Sequence, residues 1–203
     1  MRNIFNYFFD VYYLFRLDLR ENTIINNLVL AKGYSTILID SIDNVYFDSL
    51  VSLWEKAYNK SRSKAVDKVT SIIQRGDVCI AATYEGKLVG MCWSGEQAAI
   101  NSIPFASMLK NEKSVGIGHN HYVDPEHSGK KLQRILTIET LRYAQNTGLK
   151  TYYVFVGIRN MVSTINLVKV FPELKVVYHL KIDIPFFVFN IYPGLSREKW
   201  SKR

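Results

Sequence analysis

The sequence has the composition of an ordinary globular protein, and this excludes several other classes. Its 203 residues are 48% hydrophobic and 22% charged, which rules out a disordered chain, a fibre or a low-complexity linker and predicts about one domain. The formal net charge of +8 favours an anionic partner such as nucleic acid, a phospholipid surface or a phosphate-bearing cofactor.

The two cysteines, Cys79 and Cys92, are too few for a disulfide framework or an all-cysteine zinc site. This scarcity of thiols favours a reducing compartment, so we expect a cytoplasmic protein. The sequence has no run of about 20 apolar residues, and we therefore expect no transmembrane segment.

An aromatic segment opens the chain. Several of its large apolar side chains fall on one face at helical spacing, namely Phe5, Phe8, Phe9, Tyr12, Phe15 and Leu19. The spacing predicts a helix packed on the body or on a partner, and a helix on a membrane surface is the alternative. We expect residues 1–32 to form an N-terminal extension and residues 33–203 to form one domain.

Strands and helices are mixed along the remainder of the chain. The predicted strands are Tyr34–Ile39, Val78–Tyr84, Leu88–Trp93, Val115–Val123, Thr151–Ile158, Lys175–Ile184 and Phe186–Ile191. The predicted helices are Val45–Tyr58, Ser63–Gln74, Lys130–Asn146 and Asn160–Val170, with a short one after Pro104. The turn Glu85-Gly86-Lys87 makes residues 78–93 a hairpin.

The order strand, helix, strand between Val115 and Ile158 predicts a parallel pair, because the connection is long enough for a crossover that contains a helix. The second of these strands is β-branched and aromatic, which is typical of a buried strand. The expected fold is therefore α/β (α+β), with a mixed, mostly antiparallel sheet of six or seven strands, a central parallel pair and about four helices.

A loop that leads into a helix is the first candidate binding feature. The N–H groups of a helical first turn lack internal partners and carry partial positive charge, so they suit a pyrophosphate. Gly129 lets the backbone approach a ligand closely, and Lys130 and Lys131 add positive charge. In the alternative, Gly129 only closes a turn and both lysines are solvated.

Candidate bases lie just before this loop. His119 and His121 share a face if their strand is regular, and an imidazole has a suitable pKa for general base catalysis. Glu96 is a weaker candidate base, and packed structural histidines are the alternative. A His-x-His pair also suits a metal, but no third ligand is spaced to complete the site, so we expect no metal.

Two stretches resemble the GNAT superfamily of N-acetyltransferases. The run Tyr122-Val123-Asp124-Pro125-Glu126-His127-Ser128-Gly129-Lys130-Lys131-Leu132 is similar to the strand, loop and helix of its acyl-CoA motif. The second motif is carried by Tyr152–Val156, Asn160, Ser163, Leu167, Lys169 and Phe171. The resemblance covers about residues 34–183 and implies a GNAT-like fold with acetyl-CoA, or another acyl-CoA, as co-substrate.

The resemblance also implies site residues. The donor would contact Tyr122, Val123, Ser128, Gly129, Lys130, Lys131, Leu132, Asn160 and Ser163. The pantetheine arm would lie where the strands of the parallel pair splay apart. For Asn160, a helix cap is the alternative role.

Three positions of the loop depart from the family pattern Arg/Gln-x-x-Gly-x-Gly/Ala, because they hold Ser128, Lys131 and Gln133. Leu167 occupies the position where the family often places a proton-donating tyrosine. Tyr122 and Tyr153 are the candidates for the missing acid, and a thiolate that leaves unassisted is the alternative.

The implied function is an N-acyltransferase that moves acetyl from acetyl-CoA to the primary amine of a small acceptor, with a weak preference for an anionic one such as an amino sugar. The crowded loop and the aromatic termini leave open a longer acyl chain or an acyl carrier protein as donor. A non-catalytic binding module and a homodimer also stay open. No nucleic-acid-binding motif accompanies the positive charge, so we do not expect nucleic acid as a partner.

Overall fold

The computed structural model describes residues 9–20, 28–102, 106–109, 111–157, 159–171 and 173–180. Its strands are β1 (Phe9–Asp18), β2 (Tyr34–Ile39), β3 (Val78–Tyr84), β4 (Lys87–Gly95), β5 (Val115–Val123), β6 (Thr151–Gly157) and β7 (Glu173–Leu180). Its helices are α1 (Phe47–Tyr58), α2 (Arg62–Gln74), α3 (Gln97–Ile100), α4 (Ala106–Leu109), α5 (Leu132–Asn146) and α6 (Met161–Leu167). A single turn of 3₁₀ helix covers Pro125–His127.

All seven of these strands form one sheet in the order β2-β3-β4-β5-β6-β1-β7. Only β5 and β6 pair in parallel, and the other neighbours are antiparallel. The predicted fold class is confirmed, including the central parallel pair. Four of the helices are longer than one turn, as expected, and α3 and α4 add one turn each.

Helices cover both faces of the sheet. On one face, α1 and α2 bury a cluster around Leu50, Trp54 and Val69 against Met91 and Trp93 of the sheet. On the other face, α5 buries Leu132 and Leu136 against strands β3 and β4. The sheet therefore lies between two apolar layers and holds the end of β5 rigidly between them.

The hairpin of β3 and β4 confirms the predicted turn. Glu85 and Gly86 have φ angles of 48° and 80°, as a two-residue type I′ turn requires. This turn chemistry is local, which explains why the sequence located the hairpin correctly.

The prediction of a helix at the N-terminus is wrong for the described residues. Phe9–Asp18 is strand β1, and it lies inside the sheet between β6 and β7. Phe15, Leu17 and Leu19 join the cluster beneath α5, whereas Leu14 belongs to a cluster on the opposite face. A strand buried on both faces is a nearly continuous apolar run, and such a run also contains residues at helical spacing.

Some sequence predictions lie outside the described residues. These are the positions Phe5 and Phe8, the strand Phe186–Ile191 and the end of the strand predicted from Lys175 to Ile184. The division of the chain at residue 33 remains a prediction. Within the described ranges, no helix is both long and apolar enough to cross a bilayer.

Phe15 tests the integration of β1 into the core. It is 0% exposed, and its ring lies 5.9 Å from that of Phe171. We expect Phe15→Ala to lower the free energy of unfolding by about 3–5 kcal/mol, because it opens a cavity under α5. Urea denaturation measures the change. The control Val45→Ala, at a position 90% exposed, should stay within about 0.5 kcal/mol of wild type. Equal effects of the two changes would contradict the placement of β1.

Candidate functional site

The parallel strands β5 and β6 pair over only part of their length. Their ladder runs from Val115 opposite Thr151 to Gly118 opposite Val154. Beyond this point β5 continues to Val123 and β6 to Gly157 without further pairs between them. The two strands thus part at their carboxyl ends and leave a gap, as expected from the family resemblance.

A β-bulge in β5 lies at the point where the gap opens. Met91 pairs with Tyr122 and Trp93 pairs with His119, so two residues of β5 stand opposite the single residue Cys92. Asn120, the first of these two residues, has a left-handed φ of 50°. The bulge interrupts the alternation of side chains along the strand.

The prediction that His119 and His121 share a face is therefore wrong. His119 stacks on Trp93, in the layer that contains α1 and α2. His121 lies beside Cys92, which packs with α5 on the opposite face. The prediction assumed a regular strand, and the extra residue of the bulge moves one histidine to each side.

His119 is 8% exposed, and both of its ring nitrogens have partners. Nε2 lies 2.8 Å from Oδ2 of Asp77, and Nδ1 lies 2.8 Å from the amide nitrogen of Asn120. Because an amide nitrogen only donates, Nδ1 accepts and Nε2 carries the hydrogen that is donated to Asp77. Burial lowers the pKa of His119, and the opposing attraction of Asp77 is smaller.

Asp77 is itself 1% exposed. Burial raises the pKa of its carboxyl, but hydrogen bonds from His119 and Arg75 lower it by more, so the group stays ionised. The carboxylate of Asp77 thus lies between the guanidinium of Arg75, which offsets part of its charge, and the imidazole, whose protonated form it would stabilise.

His121 has a different environment. Its Nε2 lies 2.7 Å from Sγ of Cys92, and the hydroxyl of Thr140 donates to the same sulfur at 3.1 Å. Burial lowers the pKa of His121 to about 4, and burial raises the pKa of Cys92 to about 12. Both groups are neutral near pH 7, so His121 contributes hydrogen bonding rather than charge.

Two cavities meet at the parted strands. The larger, of about 480 Å³, is lined by His121, Tyr122, Val123, His127, Ser128, Gly129, Lys131, Leu132, Gln133, Val162, Ser163 and Asn166. The smaller, of about 240 Å³, is lined by Tyr12, Tyr58, His119, Asn120, His121, Gln133, Val154, Phe155, Val156, Gly157, Asn160, Ser163 and Leu167. The first follows the loop before α5, and the second fills the gap between β5 and β6.

The loop at the larger cavity has two residues in the left-handed backbone region. Gly129 has a φ of 74°. Lys131 caps α5 in the left-handed conformation, with a φ of 61° and no side-chain cap. The first N–H groups of α5 therefore lack a capping side chain, and the side chain of Lys131 adds a positive charge beside them. Lys131 therefore has a backbone conformation that glycine adopts more easily than lysine does.

Two contacts fix this loop to the body. The ammonium of Lys56, in α1, lies 2.5 Å from Oδ2 of Asp124. The hydroxyl of Tyr34 lies 2.8 Å from Nδ1 of His127. Asp124 also accepts a hydrogen bond from the backbone N–H of Glu126 at 3.2 Å. The loop is therefore held in shape without a ligand.

Most of the predicted site residues line one cavity or both. The larger receives His121, Tyr122, Val123, Ser128, Gly129, Lys131, Leu132 and Ser163. The smaller receives His119, His121, Asn160 and Ser163. Lys130 and Glu96 are exposed and line neither cavity. Asn160 does cap α6, because its side chain accepts the N–H of Ser163 at 3.1 Å.

The candidate acids also separate. Tyr122 lines the larger cavity, and burial raises the pKa of its hydroxyl. Tyr153 donates its hydroxyl to Glu112 at 2.6 Å and lines neither cavity. Leu167 lines the smaller cavity and supplies no proton there. Of the two tyrosines, the geometry favours Tyr122.

Sequence reasoning missed several lining residues. Tyr12, Tyr58 and Phe155 give the smaller cavity an aromatic wall, and Asn120 enters it through the bulge. The sequence predicts a helix at Tyr12 and therefore gives no indication that this residue lies beside β6. An asparagine inside a strand was the available signal for the bulge, because asparagine tolerates the left-handed region.

The fold and the site define a class: mixed α+β proteins with a ligand cleft where a central parallel pair parts above a helix N-terminus. A family model described as "Acetyltransferase (GNAT) family" matches residues 40–168, and the chain belongs to that family. The resemblance found in the sequence is thereby confirmed.

Solved structures share the fold at low sequence identity. The tandem GNAT protein from the clavulanic acid biosynthesis pathway has a TM-score of 0.59 at 14% identity, with 83% of this chain and 52% of that chain covered. A GNAT acetyltransferase from Colwellia psychrerythraea has a TM-score of 0.59 at 9% identity, covering 84% and 54%. An aminoglycoside N-acetyltransferase in complex with CoA has a TM-score of 0.55 at 11% identity, covering 68% and 86%.

The alignment spans about half the length of the first two of these structures. A search among curated proteins finds no match in sequence. Among the described residues, no group of three or more His, Cys, Asp or Glu side chains is arranged to hold a metal ion.

The lowered pKa of His121 predicts a dependence of stability on pH. The pKa falls from 6.5 to about 4 on folding, so the unfolded chain binds more protons between these values and stability falls as the pH is lowered through this window. We expect this shift to make the free energy of unfolding roughly 1–3 kcal/mol larger above about pH 6.5 than at the acidic end of the window.

His121→Gln removes this titration. Urea midpoints measured from pH 7 to pH 4 should fall less steeply in the variant than in wild type. The difference in slope should correspond to about one proton fewer taken up on unfolding. Identical slopes for the two proteins would show that His121 titrates normally in the folded state.

Proposed function

We propose that this chain is an N-acyltransferase that moves an acetyl group from acetyl-CoA to the primary amine of a small acceptor. One observation carries the proposal: the larger cavity begins at the N-terminus of α5 and meets the smaller one between the parted strands. A phosphate-bearing head group and an extended arm with a reactive end would suit this arrangement. Membership of the GNAT family supports it.

The head of the donor would lie at the loop before α5. Its pyrophosphate would accept hydrogen bonds from the uncapped N–H groups of α5, and Lys131 would add charge attraction. Gly129 leaves room for such a ligand, because a Cβ built there would meet no atom within 4 Å. Lys130 is exposed and would contribute to the field around the entrance.

The thioester would lie in the gap, beside the edge of β5 that no longer pairs with β6. The neutral amine attacks the thioester carbonyl, the carbon–nitrogen bond forms, and the carbon–sulfur bond breaks to release the CoA thiolate. Backbone N–H groups at this edge would stabilise the oxyanion. Tyr122 is the candidate proton donor to the thiolate, because it lines the larger cavity and its phenol is protonated near neutral pH.

His119 is the better placed of the two candidate bases. Burial lowers the pKa of both imidazoles, but Asp77 bonds Nε2 of His119 and would stabilise its protonated form, and Nδ1, which accepts from Asn120, would take the proton. His121 has a pKa of about 4 and is a weak base. We therefore assign proton acceptance to His119 and hydrogen bonding to His121.

A second donor, an acyl carrier protein, is favoured by one specific observation. Lys131 and Gln133 occupy positions where the family pattern has small residues, and this changes the space for the pyrophosphate of CoA. A carrier presents the same arm with a single phosphate, and its acidic surface would complement the basic loop. The aromatic wall of the smaller cavity would also suit a longer acyl chain.

Thiol release tests the activity. With acetyl-CoA and a panel of primary amines, we expect release of CoA thiol that depends on the amine. His119→Gln should lower kcat at least about tenfold, because the variant lacks the base, whereas its amide can still donate to Asp77; donor affinity should change little, since His119 does not line the larger cavity. Turnover only with acyl carrier thioesters would favour the second donor. If a donor binds but no amine or carrier gives turnover, the proposal that the chain is an enzyme would be contradicted.

Charge reversal tests the location of the phosphates. Lys131→Glu should weaken binding of CoA at least about tenfold, measured by calorimetry, because it places a carboxylate beside the phosphates. Lys150→Glu is the matched control, since this exposed lysine precedes β6 at the opposite end of the strand and carries the same charge change. Equal weakening in both variants would indicate only a general effect of net charge.

A further inference from the structure

Three residues line both cavities: His121, Gln133 and Ser163. They therefore stand at the junction through which an extended ligand would pass. Between two of them runs a direct hydrogen bond, because Nε2 of Gln133 donates to Oγ of Ser163 at 2.8 Å. This bond connects the first turn of α5 to α6 across the junction.

The amide of Gln133 is engaged at both ends. Its Oε1 accepts a hydrogen bond from the side chain of Asn166 at 2.7 Å, one turn further along α6. The Gln133 amide thus makes two hydrogen bonds to one helix, at the place where the two cavities share lining residues. The pattern is that of a brace between two elements, not of a group that awaits a ligand.

The helix held by this brace is short. α6 has seven residues, and Leu167 is the residue that it buries in the core. Met161 and Ile165 are at least half exposed, and Val162, which lines the larger cavity, is 70% exposed. The two bonds from Gln133 therefore add to the packing of Leu167 and to the cap at Asn160 in attaching the helix beside the cleft.

We propose that Gln133 is a latch across the donor cleft, and that a pantetheine arm reaches the smaller cavity only after the bonds of Gln133 to Ser163 and Asn166 open. The proposal rests on the proposed function, because it takes the arm of a CoA-type donor as the ligand. When the latch opens, Ser163 and Asn166 lose their partner and become available to the amides of the arm. Because these bonds must open for the arm, the affinity for a donor then depends on its arm as well as on its phosphates.

The latch lowers apparent affinity by the fraction of molecules in which it is open. Removing it should therefore tighten the binding of any ligand that has an arm. It should not affect a ligand that occupies the phosphate loop alone. Coenzyme A and adenosine 3′,5′-bisphosphate, which lacks the pantetheine arm, make this distinction.

The experiment is calorimetric titration of both ligands into wild type, Gln133→Ala and Ser163→Ala. We expect Gln133→Ala to bind coenzyme A about tenfold more tightly, with affinity for the bisphosphate within about twofold of wild type. Ser163→Ala also removes one bond of the latch, but it removes a hydroxyl that would bind the arm as well, so we expect a smaller gain in affinity than for Gln133→Ala. The double variant should gain little more than Gln133→Ala alone, because both changes remove the same bond.

Gln97→Ala is the matched control. Gln97 is an exposed glutamine in α3 whose amide bonds Asn101 at 3.2 Å, and it lines neither cavity. Its affinity for coenzyme A should equal that of wild type. Melting curves of each variant verify that it is folded before titration.

The outcomes separate the latch from the donor assignment. Binding of coenzyme A by Gln133→Ala that equals or is weaker than that of wild type would overturn the latch and leave the donor site standing. Equal tightening of both ligands would also overturn it, since the arm would then not matter. If neither wild type nor Gln133→Ala binds coenzyme A, the proposal of a CoA donor is refuted, and so is the latch that depends on it.

Discussion

The site depends on one backbone constraint, the bulge at Asn120. A left-handed residue with a φ of 50° inserts an extra position into β5 opposite Cys92. Without it, His119 and His121 would share a face, and β5 would keep its alternation up to the loop before α5. With it, one histidine faces each layer at the start of the gap between the strands. Such a conformation costs free energy in a residue other than glycine, so the surrounding contacts must hold it.

Those contacts form a chain of polar groups that reaches into the core. Arg75 and His119 bond the carboxylate of Asp77, and the amide of Asn120 bonds His119 in turn. The hydroxyl of Tyr58 completes the chain at 3.4 Å from the amide oxygen of Asn120. Each member satisfies the next, so the bulge is stabilised by a buried network rather than by β-propensity. The same network orients His119 toward the smaller cavity, which links the fold of β5 directly to its proposed chemistry.

Charge is distributed unevenly along the cleft. Lys131 and the N-terminus of α5 make the end at the loop positive, whereas the described residues that line the smaller cavity include no Lys, Arg, Asp or Glu. An uncharged, partly aromatic wall disfavours an ammonium ion relative to the neutral amine. Desolvation would thus assist the deprotonation that acyl transfer requires, and it reduces the demand on His119. The described lining of the smaller cavity therefore offers no cationic side chain to an anionic acceptor, which net charge alone had favoured, because Lys131 lies at the larger cavity.

Local signals in the sequence predicted most of the strands and helices. The prediction failed where contacts between distant parts of the chain determine the structure. Tyr34–Ile39 and Val115–Val123 have the predicted bounds, because turn residues and alternation mark them locally. The segment from Phe9 to Asp18 depends instead on β6 and β7, which lie more than a hundred residues away in the chain. Since β1 borders β6, and Tyr12 packs on Phe155 with ring centroids 5.9 Å apart, the wall of the smaller cavity is complete only when the N-terminal strand is in place. Tyr12, one of the aromatic residues that suggested an amphipathic helix, is therefore part of the cavity wall, and the placement of β1 and the shape of that cavity are a single constraint on the sequence.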